Sequence, residues 1–177
     1  GKLIRQFTDF PSPLTGGVSV FPGSVGADAQ AAYFNDHDGI IWRLDLTATD
    51  PANWNYQAIW DMAHGLSATQ GQPSYNPPVL STLEDGRVVV IQATGNVDRL
   101  EDGTAANRLV SLTETINVNP STFATTGVDM TVNWDILNGT PPPRSRCVRV
   151  SRSPGRSSCS TAWCTSARPS APASQGS

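Results

Sequence analysis

The run Asn35-Asp36-His37-Asp38-Gly39 is the most promising metal-binding pattern in the sequence. Aligned with the EF-hand calcium loop, Asp36 and Asp38 take the third and fifth positions, and Gly39 takes the sixth, where the loop turns sharply. The first position falls on Phe34, which has no side-chain oxygen, whereas calcium requires six to eight oxygen ligands. The pattern therefore favours a hairpin turn, with Asp36 and Asp38 kept as candidate calcium ligands and no other cofactor indicated.

Other side chains that could do chemistry lack partners at the spacing such chemistry requires. His37 and His64 have no Cys or His neighbour at zinc-binding spacing. Ser67 lies in a Gly65–Thr69 segment that lacks the second glycine of a nucleophile elbow. A second acidic cluster is interpreted as a solvated loop: Asp98, Glu101 and Asp102. The sequence thus predicts no catalytic residue, and the chain is not expected to be an enzyme.

Charge is distributed very unevenly along the 177 residues. Residues 1–143 hold all 15 acidic residues and six basic ones, a net charge of −9. Residues 144–177 hold six arginines, ten serines, all three cysteines and no acidic residue, a net charge of +6. A genuine tail of this kind would be an interaction arm for nucleic acid or a membrane surface, and its odd cysteine count would suggest a free thiol or an intermolecular disulfide.

We favour a different origin for this tail, because its composition is typical of a GC-rich gene translated out of frame. Read one base out of register, residues 156–166 can encode Val-Val-Val-Phe-Asp-Gly-Val-Val-Tyr-Phe, which is a strand, a turn and a second strand. We therefore expect residues 144–177 to be an out-of-frame, disordered segment. No nucleic-acid partner is expected.

Residues 1–143 predict an all-β fold. The predicted strands are Gln30–Asn35, Ile40–Thr47, Val79–Leu83, Arg87–Thr94, Arg108–Thr115 and Thr131–Leu137. The first four form two hairpins around Asp38-Gly39 and Asp85-Gly86, since Gly adopts positive φ at low cost and Asp bonds its own backbone. No apolar run reaches about 18 residues, so a membrane-spanning helix is not expected.

The two Asp-Gly hairpins form a weak internal repeat. Gly39 and Gly86 are 47 residues apart, a spacing that suits one four-stranded propeller blade. The out-of-frame reading of the tail supplies a third copy, so about three blades fit in the chain. Because three blades cannot close a ring, we expect a fragment of an incomplete β-propeller, internal to a longer protein. A sandwich of about seven short strands is the structural alternative.

The segment Ala31–Leu46 resembles the C-terminal propeller of the PilY family, which are type IV pilus biogenesis and tip-adhesin proteins. Blades of that family carry a strand, an acidic turn with glycine, and then aromatic-Arg-x-Asp-Leu. Further segments resemble the family in the expected order: Pro51–Trp54, Ile59–Asp61, Gly71–Val79 and Arg87–Gly95. In the last of these, Ala93 replaces the first glycine of the family's Gly-Thr-Gly. The resemblance covers roughly residues 1–140, and the shifted tail resembles the blade that follows.

This resemblance implies quinoprotein-like blades and a bacterial protein that is secreted to the cell surface, associated with the pilus or the outer membrane. It implies a non-catalytic module acting in pilus assembly, retraction control and adhesion. The implied partners are minor pilins, host or abiotic surfaces, and propeller blades absent from this chain. The family also has a calcium loop in its propeller region, to which no complete match is present here.

Two other functions remain as alternatives. A quinoprotein dehydrogenase would use a similar propeller with pyrroloquinoline quinone and calcium, but residues 1–143 contain no Cys for the vicinal disulfide typical of those enzymes. A carbohydrate-binding β domain would use exposed indole rings as a platform. We instead expect the four tryptophans of residues 1–143 to lie in the core or between blades: Trp42, Trp54, Trp60 and Trp134.

Overall fold

The computed structural model describes residues 1–67, 72–95, 106–121 and 125–138, all of which belong to one compact unit, Gly1–Ser145. These residues form eight strands: β1 Leu14–Phe21, β2 Ala31–Asp36, β3 Ile40–Asp45, β4 Asn55–Asp61, β5 Val79–Thr82, β6 Val88–Ala93, β7 Arg108–Val118 and β8 Thr125–Leu137. A single 3₁₀ turn, Pro51–Asn53, is the one helical element in this described part. The predicted all-β class is confirmed. The predictions for residues 144–177 lie outside the described residues.

The strands make two antiparallel sheets that follow one another along the chain. Sheet A has the order β1-β2-β3-β4 and sheet B the order β5-β6-β7-β8, so each strand pairs with its neighbour in sequence. Each sheet is therefore a four-stranded meander whose pairings are local in sequence. No helix among the described residues has the length and apolarity needed to cross a membrane.

Both predicted hairpins are confirmed, because β2 pairs with β3 around Gly39 and β5 pairs with β6 around Gly86. Both glycines have positive φ, 84° and 86°, the conformation that only glycine adopts without strain. The predicted strands of residues 108–115 and 131–137 are also present within β7 and β8. Strands β1 and β4 were not predicted.

The 47-residue repeat does not correspond to a repeat of the sheets, and this part of the prediction is wrong. Asp38-Gly39 joins the second and third strands of sheet A, whereas Asp85-Gly86 joins the first and second strands of sheet B. The two turns share the same local chemistry, since both are three-residue loops that end in a glycine with positive φ, a common type of hairpin connection. Equal spacing of such turns therefore does not identify equivalent strands.

The two sheets pack face to face around an aliphatic core. Sheet A and the turn after it supply the buried residues Ala31, Tyr33, Ile41, Ile59 and Met62, and sheet B supplies Val88, Val90, Val110 and Leu112. Strand β1 lies beside β5 and β4 lies beside β8, so the two meanders are stacked in the same order. Burying these side chains stabilises the pair of sheets by about 1.5–3 kcal/mol for each large one.

The opposite face of sheet A is covered by the chain's own N-terminal segment. The ring of Phe10 lies 4.6 Å from that of Tyr56 and 5.5 Å from those of Phe34 and Trp42, measured between ring centroids. The ring of Phe7 contacts Tyr56 edge-on at 5.4 Å. Edge-to-face packing of this kind stabilises aromatic clusters beyond the area they bury. The N-terminal segment thus covers the outer face of β2, β3 and β4, whereas Leu14, Val18 and Val20 of β1 are exposed.

Candidate functional site

Asp36, the first candidate calcium ligand, is fully buried at the end of β2. Its Oδ1 accepts a hydrogen bond from the Ile40 backbone N–H at 2.9 Å, and its Oδ2 accepts one from Trp42 Nε1 at 2.9 Å. Both carboxylate oxygens therefore bind donors of the β2–β3 hairpin. The carboxylate closes the turn and orients the indole ring of Trp42.

Asp38, the second candidate ligand, is exposed in the turn itself. The structure thus places Asp36 inside the sheet and Asp38 at its surface. Among the described residues, no group of three or more His, Cys, Asp or Glu side chains is arranged to hold a metal ion. Calcium binding by Asp36 and Asp38 stays a prediction. The contacts seen for Asp36 are those of a hairpin turn.

A cluster of buried charges lies between the two sheets, and it is the main polar feature that the fold assembles. Glu114 of β7 accepts hydrogen bonds at Oε2 from the Tyr33 hydroxyl and from Arg43 Nε, the latter at 3.0 Å. Arg43 Nη1 also donates to Asp45 Oδ2 at 3.3 Å. Asp45 Oδ1 in turn accepts from the backbone and hydroxyl of Thr47 at 2.9 and 2.6 Å. One arginine of sheet A is therefore paired with a carboxylate from each sheet.

Burial shifts the titration of this cluster. Loss of solvent and the neighbouring charge of Glu114 raise the pKa of Tyr33 well above its ordinary value, so this phenol stays protonated. Burial alone would raise the pKa of Asp45, but hydrogen bonds from Thr47 and the charge of Arg43 hold it below its usual range. For Arg43, burial alone would lower the pKa, but the charge of Glu114 and the contacts with Tyr33 and Glu114 together outweigh it, and the net shift of its pKa is upward. Arg43 and Asp45 are therefore held in their charged forms at neutral pH.

A cleft of about 410 Å³ opens above this cluster. Tyr33, Arg43 and Glu114 line it, and the exposed Asp85–Arg87 ion pair, with a 2.7 Å N–O distance, lies at the turn that borders it. Pockets of this size with a few convergent polar groups are usual ligand sites. Here the charged groups are paired with one another, so the cluster joins the two sheets.

A second buried polar network tethers the segment that connects the two sheets. Asn35 Nδ2 donates to the Ser74 carbonyl and, at 3.2 Å, to the Thr15 carbonyl. Ser74 Oγ donates to the Ala93 carbonyl at 2.6 Å, and Gln92 Nε2 donates to Ser74 Oγ. Side-chain amides thus satisfy backbone groups of an irregular segment that would otherwise be buried without partners. These contacts hold the part of the connecting segment around Ser74 against both sheets.

A third interaction joins the far ends of the sheets. Arg108 of β7 donates from Nη1 to the Met62 carbonyl at 2.7 Å, and its Nε lies 3.1 Å from Asp135 Oδ1. The side chain is almost completely buried, so it requires these partners to compensate for lost hydration. Arg108 therefore anchors the turn after sheet A onto sheet B.

Sequence analysis found some members of these clusters and missed others. Arg43 and Asp45 belong to the aromatic-Arg-x-Asp-Leu motif, and their spacing of two predicts that both lie on one face of a strand and bond neighbouring strands or blades. Their particular partner in sheet B was not predicted. Glu114 was missed, because it is 71 residues from Arg43 in sequence and no local pattern marks the pairing. The one available signal was that Glu114 is an acidic residue inside an apolar strand pattern, where a charge is buried only with a partner.

The remaining predicted residues are dispersed. His37 is exposed in the β2–β3 turn, while His64 lies 6.1 Å from the ring of Trp60, on another turn. Trp54 donates from Nε1 to the Ala48 carbonyl at 2.9 Å, and Trp60 packs against the core. Trp134 lies half-buried on β8. The acidic cluster of residues 98–102 lies outside the described residues.

Comparison of the chain with protein-family models, with curated protein sequences and with solved structures gives no match. Assignments of family and function therefore depend on the sequence motifs and on the geometry described above.

Proposed function

We propose that residues 1–143 are two consecutive blades of a β-propeller that acts as a non-catalytic interaction module, of the kind the PilY family uses in type IV pilus biogenesis and surface adhesion. The observation that carries this proposal is the arrangement of the sheets. Each is a four-stranded antiparallel meander, and the second is stacked on the first with its strands in the same order. Propeller blades repeat in this way around a central channel.

The sandwich alternative requires a different connectivity. Immunoglobulin-like sandwiches exchange strands between their sheets through Greek-key connections. In the described part of this chain, every pairing joins strands adjacent in sequence, and no strand crosses from one sheet to the other. This local connectivity favours blades over a Greek-key sandwich.

The interior chemistry supports an interaction module more than an enzyme. Arg43 is paired with Glu114 and Asp45, and Arg108 is paired with the Met62 carbonyl and Asp135. These groups are used in holding the sheets together. Function would then depend on exposed surfaces and on the blades that complete the ring, which would place the whole protein at the bacterial cell surface.

The proposal is tested by measuring binding of the full chain to purified minor pilins by surface plasmon resonance. We expect saturable binding that is lost in a Leu112→Asp variant, because a charge at this fully buried position between the sheets disrupts their packing. A Thr131→Asp variant, altered at an exposed position of β8, is the matched control and should bind as the wild-type chain does. Absence of binding by the folded wild-type chain to any minor pilin would contradict the pilus assignment.

The quinoprotein alternative has its own assay. The chain is incubated with pyrroloquinoline quinone and calcium, and reduction of an electron-accepting dye is followed in the presence of alcohols and sugars. We expect no turnover above that of the free quinone. Turnover that depends on the folded chain would contradict the non-catalytic assignment.

A further inference from the structure

An uncharged groove of about 610 Å³ lies between the first strands of the two sheets. Two stretches line it, Ser19–Ser24 from the end of β1 and Pro77–Thr82 from the start of sheet B. Neither stretch contains a charged residue, although residues 1–143 carry a net charge of −9. Valines are its exposed apolar side chains, with Val20 42% and Val79 61% accessible. The lining of the groove is thus uncharged, although the chain that forms it is acidic as a whole.

The wall formed by β5 has an unpaired backbone edge. Strand β5 is terminal in sheet B as described and pairs only with β6, in a register without irregularities. The Leu83 N–H donates to the Arg87 carbonyl at 2.9 Å, so the backbone of Leu83 points toward β6. Because alternate residues of an antiparallel strand direct their N–H and C=O groups to opposite sides, Thr82 and Leu80 direct theirs away from β6. Each offers a donor and an acceptor at the free edge.

The opposite wall is less suited to pairing. In β1 the register with β2 shifts between Thr15 and Ser19, and an irregular edge resists addition of a strand. The segment leading to β5 also passes close to Gly16, where a Cβ would lie only 2.9 Å from the Tyr75 carbonyl oxygen. The first half of β1 is therefore covered, and its second half provides side-chain contacts, from Val20 and Phe21, to whatever occupies the groove.

We propose that the free edge of β5 binds an extended, uncharged peptide segment of a partner protein as an additional strand of sheet B. Backbone hydrogen bonds to Leu80 and Thr82 provide affinity, and the apolar wall at Val20 and Val79 selects small branched side chains. This is strand addition, a general mode of peptide recognition. The lack of charge in the groove specifies the chemistry of the peptide, since a charged side chain would lose hydration there without gaining a partner. The proposal does not depend on the blade or pilus assignments.

The test uses the full chain and a hexapeptide labelled with fluorescein at its N-terminal amine, fluoresceinyl-Thr-Val-Thr-Val-Thr-Val-amide, with binding followed by fluorescence anisotropy. A second peptide carries N-methyl groups on alternate amides, which removes the donors of one strand edge and leaves the side chains intact. We expect the methylated peptide to bind at least about tenfold more weakly, since it loses two or more backbone hydrogen bonds. Equal affinity of the two peptides would overturn the proposal. So would the absence of binding by the unmethylated peptide.

Two variants at one exposed position locate the edge. Thr82→Pro removes the outward N–H, a change that edge strands tolerate, whereas Thr82→Ala keeps this donor and removes only side-chain atoms. We expect Thr82→Pro to weaken binding about tenfold and Thr82→Ala to bind as the wild-type chain does. Thermal unfolding verifies that both variants fold. If Thr82→Pro does not fold, the comparison of the methylated and unmethylated peptides still tests the proposal on the wild-type chain. Dimerisation of the wild-type chain that Thr82→Pro abolishes, without peptide binding, would instead identify a second copy as the occupant.

Discussion

Sheets A and B have the same topology but contribute different chemistry to the interface between them. Sheet A brings Arg43 together with a carboxylate of its own, Asp45, whereas sheet B brings the carboxylate of Glu114. Sheet A is built from four strands of six to eight residues, whereas those of sheet B range from four to 13. Arg43 of sheet A thus has one carboxylate partner in its own strand and a second one in sheet B.

The Asp-Gly turns of the two sheets have the same local conformation but different surroundings. Gly39 lies buried against the segment between the sheets, where a Cβ would be 3.1 Å from the Gln72 carbonyl oxygen. Gly86 has the same positive φ but open space around it. Both turns are favoured by local backbone chemistry, but only the first is also held by tertiary packing. The contribution of each turn to stability therefore depends on its position in the fold and not on the Asp-Gly dipeptide alone.

The largest loss of stability is expected from removing the carboxylate of Glu114, through which sheet B contacts Arg43 and Tyr33 of sheet A. Glu114→Ala leaves Arg43 and Tyr33 buried without their shared acceptor, and breaking a buried pair costs about 3–5 kcal/mol in the free energy of unfolding. Urea denaturation followed by circular dichroism measures this loss. Asp129→Ala, which removes an exposed carboxylate from β8, is the control and should change stability by less than about 0.5 kcal/mol.

Tyr33 should make the stability depend on alkaline pH. Its folded-state pKa is raised by burial and by Glu114 above the unfolded value of about 10. This contribution is therefore fully present below about pH 10 and is lost as the pH rises further. Unfolding curves between neutral and strongly alkaline pH should show a steeper loss for the wild-type chain than for Tyr33→Phe. Identical alkaline profiles would contradict the buried position of this phenol.

The two turn glycines provide a matched pair of intermediate effect. Gly39→Ala and Gly86→Ala both place a Cβ at positive φ, which costs about 1–2 kcal/mol. At residue 39 the new methyl group must also displace the Gln72 carbonyl, so we expect the larger loss of thermal stability there. Equal losses at the two positions would show that the first turn is not held against the connecting segment.

The smallest effect is expected at the surface ion pair. Arg87 and Asp85 are each about half exposed, and pairs of this kind contribute about 0–1 kcal/mol. Arg87→Ala should therefore change the unfolding midpoint only slightly, and added salt should reduce the difference further. A large and salt-independent loss would mean that the Asp85–Arg87 pair is part of the buried cluster.

Features that depend on residues close together in the sequence could be predicted, whereas features that depend on distant residues could not. The hairpins around Gly39 and Gly86 were predictable, because turn chemistry and strand propensity are local. Strand β1 was missed since its Gly16-Gly17 pair weakens the strand pattern, and β4 was interpreted only as a segment following a blade. The interface was not predictable, because the contact between Arg43 and Glu114 spans 71 residues and depends on how the two sheets stack.

The central claim is that the two sheets pack directly on each other through the buried cluster, and a double-mutant cycle between Arg43→Ala and Glu114→Ala tests it most directly. The free energies of unfolding of the wild-type chain, the two single variants and the double variant give the coupling between β3 and β7. The account predicts a coupling of about 2–3 kcal/mol, with the double variant less destabilised than the sum of the two single variants. Additivity within about 0.5 kcal/mol would contradict it, because residues that do not share a contact behave in that way.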